Sequence, residues 1–146
     1  MKTTTLVAWI SYALFFLFMY ASISKLIAFE YYLYDLTRSP LLKTYALTVA
    51  IAVPALEFIT AALLVPGKTR VFGLASAVIL LLLFTGYVLY VLSFTKDRPC
   101  TCGGIVRQLT WPQHLVFNLA FLLLAIAGFC LQHISFTLKN KYHEKV

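Results

Sequence analysis

Two thiols stand one residue apart in Cys100-Thr101-Cys102-Gly103-Gly104, inside a polar stretch between two long apolar runs. A disulfide closed across a single intervening residue departs from the geometry that disulfides prefer. Strained, accessible disulfides are the labile, oxidising kind. Gly103 and Gly104 give the neighbouring backbone access to φ > 0, which a tight turn around the thiols requires. The spacing fits a redox-active dithiol at a membrane surface. Two readings compete with it, a reduced pair without chemistry and a shared metal site. A closed zinc site takes four ligands, so two thiolates fall short and no metal centre is expected. The third cysteine, Cys130, lies about 28 Å beyond Trp111 along a straight helix. It is expected to pack as a small apolar residue, out of reach of the other two.

The remaining chemistry lies in polar residues set within apolar runs, where an ionisable group marks a functional site by default. Glu57 is the clearest, one turn after Pro54, whose ring leaves the carbonyl of Ala50 without its helical partner. Glu57 is read either as a proton site or as a structural group hydrogen-bonded to Ser11, Tyr12 or Thr60. Trp111, His114 and Asn118 share one helix face at three- and four-residue spacing, at the membrane surface from which the dithiol emerges. Ser22, Ser24 and Lys25 end the first apolar run at that surface, and Tyr87 and Tyr90 lie toward the same end of the third. A histidine or lysine beside a thiol favours the reactive thiolate, and a histidine moves protons near neutral pH. The catalytic set is therefore read as Cys100, Cys102, His114 and Glu57. Lys25, Tyr87, Tyr90, Trp111 and Asn118 are their neighbours and would line any cofactor site. Each also has a plainer reading: a snorkelling lysine, an interfacial tryptophan, an asparagine bonding across helices.

The elements that must position these groups follow from composition. The chain has 146 residues, 62% hydrophobic and 12% charged, with a mean hydropathy of +0.88. A helix needs about 20 mostly apolar residues to cross the hydrocarbon core. Four runs qualify, at approximately 5–28, 44–65, 71–94 and 111–133. No alternating pattern suggests a barrel, so the spans are helices. The fold class is an all-α membrane protein, a single four-transmembrane-helix bundle, with a dithiol loop over 95–110 and a basic tail over 134–146. The first run continues through Ile23, past the small residues Ala21-Ser22, and is read as a retained helix rather than a cleaved signal. Ser39-Pro40 reads as cap and first residue of the second span. Pro66-Gly67 stops that span, Lys68-Thr69-Arg70 turns into the third, and Thr110-Trp111-Pro112 opens the fourth. Between the first two spans, Phe29, Tyr32, Leu33 and Leu36 recur at helical spacing, which predicts a short interfacial helix.

Four spans place both termini on one side and the dithiol loop on the other. Lys2, Lys68, Arg70, Lys139, Lys141 and Lys145 flank the first side; Lys25, Arg38, Lys43, Lys96, Arg98 and Arg107 flank the second. The totals tie, but charge is denser in the termini and the short turn, which favours cytoplasmic termini and a periplasmic dithiol. The net charge of +7 is mostly membrane-flanking lysine and arginine, so a lipid bilayer explains it and nucleic acid is not an expected partner.

Taken in order, Ser24-Lys25-Leu26, Ser39-Pro40-Leu41-Leu42, Pro54-x-x-Glu57, Cys100-x-Cys102-Gly103-Gly104 and Trp111-x-x-His114-Leu115-x-Phe117-Asn118 resemble the MauE branch of the DoxX-like membrane proteins, especially its Bacteroidetes-type versions. The resemblance covers nearly all of the chain before the basic tail. It implies a four-helix bacterial inner-membrane protein associated with redox chemistry, with Cys100 and Cys102 as its key residues. In methylamine utilisation the family is associated with maturing a disulfide-rich dehydrogenase beside a thioredoxin-like protein. The leading expectation is thus a membrane thiol–disulfide oxidoreductase, or redox relay, exchanging disulfides with a thioredoxin-like or disulfide-containing periplasmic partner. Its electrons would pass to that partner or to a membrane quinone, since no haem or flavin motif is present. The alternatives are a non-catalytic subunit or scaffold that docks a partner, and a small proton-coupled carrier using Glu57.

Overall fold

The structure is a computed structural model that describes residues 2–94 and 110–143, with side chains for 3–94, 110 and 112–134. The described residues are helical, with short turns and no strand. They form α1 (Lys2–Ile27), α2 (Phe29–Arg38), a single 3-10 turn (Lys43–Tyr45), α3 (Ala46–Leu64), α4 (Arg70–Phe94) and α5 (Trp111–His143). Four stretches are long and apolar enough to cross a membrane: Thr3–Ile27, Lys43–Leu64, Arg70–Phe94 and Pro112–Ile134. They coincide with the expected spans, and α2 is the short helix expected between the first two. The last helix runs on past its span as far as His143.

The spans close into a ring in which α1 and α4 each pack against both α3 and α5, while α1 and α4 barely meet across the centre. Val7, Ile10, Leu14 and Phe18 recur along α1 at helical spacing and enter the central core beside Leu74 and Leu81. Trp9, Phe16, Phe72 and Leu123 point outward and are exposed. A helix apolar on every face is expected of a membrane span. With lipid as apolar as leucine, helix association rests on close packing rather than on water exclusion. A Cβ on Gly73 would lie 2.8 Å from the Leu63 carbonyl carbon and the Leu64 nitrogen, and one on Gly128 would lie 2.9 Å from Ile10 Cγ2. These glycines set how closely α4 meets α3 and α5 meets α1.

Local sequence explains the ends. After Pro66-Gly67, the Thr69 hydroxyl donates to the Leu63 carbonyl at 2.9 Å. Arg70 donates to the carbonyls of Leu64 and Val65, satisfying the acceptors that the end of α3 leaves open. At the start of α5 the Thr110 amide donates to Gln113 Oε1 at 2.9 Å, half of a capping box.

Ser39 is the correction. It does not cap the second span but closes α2, with φ −70° and ψ 126°, the extended conformation that a following proline imposes. Its carbonyl accepts from the Lys43 amide, and α3 begins only at Ala46. The expected face of α2 is the one that packs: Tyr32 and Leu36 are buried against Ala46 and Ala50, whose small side chains leave room for them. Tyr87 of α4 donates its hydroxyl to Ser39 Oγ at 3.0 Å, tying the end of α2 to the bundle.

Candidate functional site: a buried ion pair and its polar neighbours

The register of α1 against α3 is fixed by a hydrogen bond from the Ser22 hydroxyl to the Pro54 carbonyl, 2.9 Å long and fully buried. One turn further along α3 comes Glu57, 0% exposed. Lys25 lies one turn beyond Ser22 in the opposite direction, yet its ε-ammonium is 2.8 Å from Glu57 Oε1. Side-chain direction resolves the apparent mismatch. Each Cα–Cβ bond in a helix tilts toward the N-terminus, so a long side chain near the end of α1 runs back down the bundle. Nζ accordingly lies 3.5 Å from the Ala21 carbonyl, one turn earlier. Snorkelling to the nearer surface would run against that tilt, and Lys25 is instead buried.

Glu57 faces the interior, as expected, but its partner is Lys25 and not the residues read from helical rise. The Ser11 hydroxyl donates to the Val7 carbonyl of its own helix, and Tyr12 is exposed on the outer face. Ser11 sits about 16 Å from Ser22 along α1. Counting rise from the span ends assumes helices flush with one plane; the Ser22–Pro54 contact sets a different register.

Other elements close on the same ammonium. It stands 5.9 Å from the ring centre of Tyr32 on α2 and 5.8 Å from that of Phe84 on α4, within the range of cation–π attraction. On α5, His114 is 9% exposed and close enough for the charge of Lys25 to act on its ring. Asn118, one turn along the same face, is 5% exposed. All five helices thus contribute to one polar interior set in an otherwise apolar bundle. Among the described residues, Glu57 Oε2 and Asn118 Nδ2 are buried without a hydrogen-bond partner.

Of the residues singled out by sequence, the bundle gathers Glu57, Lys25 and His114, and Asn118 is buried one turn along α5 from His114. Tyr87 is engaged with Ser39, and Tyr90 lies against Phe94, ring centres 5.4 Å apart. Cys100 and Cys102 lie outside the described residues, as does the side chain of Trp111. Cys130 corrects another expectation: it is exposed on the outer face of α5 and is not an interior packing residue. Sequence reasoning set Ser22 beside Lys25 but missed Tyr32 and Phe84 as parts of the cluster. A signal for the ion pair did exist, a basic residue in the last turn of one span and an acidic one inside the next. Among the described residues no three His, Cys, Asp or Glu side chains converge as a metal site would require.

Four apolar helices closed around a buried ion pair define a small multi-pass membrane protein with a polar interior. Its family is equally definite: the chain belongs to the MauE family, described as methylamine utilisation protein MauE, whose family model matches residues 3–131. The matched stretch takes in Lys25, Glu57, the dithiol and His114. No match to a curated protein or to a solved structure was found.

Proposed function

We propose that this protein is a thiol–disulfide redox relay of the bacterial inner membrane, with Cys100 and Cys102 as the exchanging pair. A thiolate of the pair attacks one sulfur of a partner's disulfide and displaces the other sulfur as a thiolate. The second cysteine then attacks the mixed disulfide, so that the partner leaves reduced and the pair is oxidised; the reverse sequence oxidises the partner. The observation that supports this reading is the placement of the buried cluster. Lys25, Glu57 and His114 sit toward the bundle end at which residues 95–109 join α4 to α5. An oxidation that releases two protons has a carboxylate and an imidazole nearby to handle them.

The inward turn of Lys25 also bears on orientation. It withdraws one positive charge from the loop side, leaving five flanking cations there against six on the side of the termini. That excess supports cytoplasmic termini and a periplasmic dithiol under the positive-inside rule. The partner is a thioredoxin-like or other disulfide-containing periplasmic protein.

The test is capture of mixed disulfides by Cys100→Ser and Cys102→Ser variants in cells. A partner released by reductant from one variant, and absent from the double variant, is the expected result. If neither variant captures a disulfide-linked partner, the relay reading fails and a docking subunit replaces it.

A further inference from the structure

We propose that the cluster around Lys25 is the binding site for the head group of a membrane quinone, which takes the electrons of the dithiol. The inference rests on the relay reading and names its electron acceptor. Two buried groups of opposite hydrogen-bonding sense carry it: Glu57 Oε2, an acceptor, and Asn118 Nδ2, a donor, neither with a partner among the described residues. Buried polar groups are nearly always satisfied, so such a pair calls for a bound molecule that both donates and accepts. Glu57 is 0% and Asn118 5% exposed, and the Lys25 ammonium lies level with the Ala21 carbonyl, about 9 Å inside the end of α1. A ligand at that depth is lipid-soluble.

The two redox forms of a quinone together meet these requirements. Its carbonyl oxygens accept from the Asn118 amide and the Lys25 ammonium, and once reduced its hydroxyl donates to the Glu57 carboxylate. Tyr32 and Phe84 supply flat apolar surfaces beside the ammonium. The step balances: the two thiols lose two electrons and two protons and form one S–S bond. The quinone gains both electrons and both protons, becoming a hydroquinone with two new O–H bonds.

The experiment separates this site from the thiol chemistry. The Cys100→Ser/Cys102→Ser protein in nanodiscs is titrated with menadione and, without oxygen, with its reduced form menadiol, and saturable quenching of tryptophan fluorescence is followed. Binding should persist without the thiols; menadione should bind about tenfold or more weakly to Asn118→Leu, and menadiol about tenfold or more weakly to Glu57→Gln, the loss expected for one buried hydrogen bond to a ligand. Glu57→Gln keeps the shape of the side chain, so it serves if Asn118→Leu fails to fold. Absence of saturable binding, or equal binding in every variant, overturns the site and leaves the two polar atoms to ordered water. Saturable, variant-sensitive binding without any mixed disulfide in cells would uphold the site and sink the relay.

Discussion

The ε-ammonium of Lys25 lies 2.8 Å from Glu57 Oε1 across the α1–α3 contact, with 11% of the lysine side chain and none of the glutamate exposed. Each member makes the other tolerable in an apolar interior. Removing one partner from such a pair costs about 3–5 kcal/mol, because a lone buried charge is left behind, whereas replacing both with apolar groups is often neutral. Lys25→Met and Glu57→Leu should each lower the thermal midpoint in detergent, and the Lys25→Met/Glu57→Leu double variant should recover most of the loss. Glu57→Gln, which keeps an acceptor for the ammonium, should be milder than Glu57→Leu. Equal midpoints for the single variants and wild type would strip the pair of its structural role.

Gly73 tests how α3 and α4 pack. A side chain there meets the backbone of Leu63 and Leu64 at 2.8 Å, whereas one on Gly86 meets nothing within 4 Å. Backbone held by a short turn yields less readily than a flexible side chain. Gly73→Val should therefore destabilise the bundle by about 1–3 kcal/mol, the usual range for overpacking. Gly86→Ala should be close to neutral. Comparable unfolding curves for the two would contradict the close approach of these helices.

The Tyr87–Ser39 hydrogen bond predicts how α2 is held. Ser39 is fully buried, and its hydroxyl receives the phenol of Tyr87 at 3.0 Å. Tyr87→Phe should loosen residues 29–45 by about 0.5–1.5 kcal/mol, seen as faster amide exchange in that segment alone. Ser39→Ala should give the same pattern, and the double variant should add little. Additive effects would mean that the two hydroxyls stabilise the protein separately.

Cysteine accessibility tests orientation. A membrane-impermeant maleimide on intact cells, after reduction, should label Cys100 or Cys102. Cys130, exposed on the outer face of α5 within its span, should resist that reagent and react with a lipid-soluble one. Labelling of the pair only after lysis would reverse the assigned topology.

Much of this protein was legible before any tertiary structure. Hydrocarbon thickness sets a length that four runs satisfy, so the spans could be placed from composition alone. Pro66-Gly67 and Thr110-Trp111-Pro112 mark ends because proline and glycine constrain the backbone locally. The amphipathic spacing of Phe29, Tyr32, Leu33 and Leu36 is local in the same sense and gave α2 and its packed face. Ser39-Pro40 misled because a serine before proline suits a helix start and a helix stop alike. The choice fell to the extended conformation at Ser39 and the 3-10 turn that follows it.

What only tertiary structure decided is which spans meet and at what height. Lys25 and Glu57 were each visible as unusual residues, but Lys25 was read as a neighbour of the dithiol or a snorkelling lysine, and the structural reading of Glu57 gave it other partners. Apolar helices carry no local code for register, since almost every face is equally greasy. Register came from a few long-range contacts: the Ser22 hydroxyl on the Pro54 carbonyl, Gly73 against the backbone of Leu63 and Leu64, and Gly128 against Ile10. With the register set, the backward tilt of a side chain at the end of α1 carries the lysine charge to the carboxylate rather than to water.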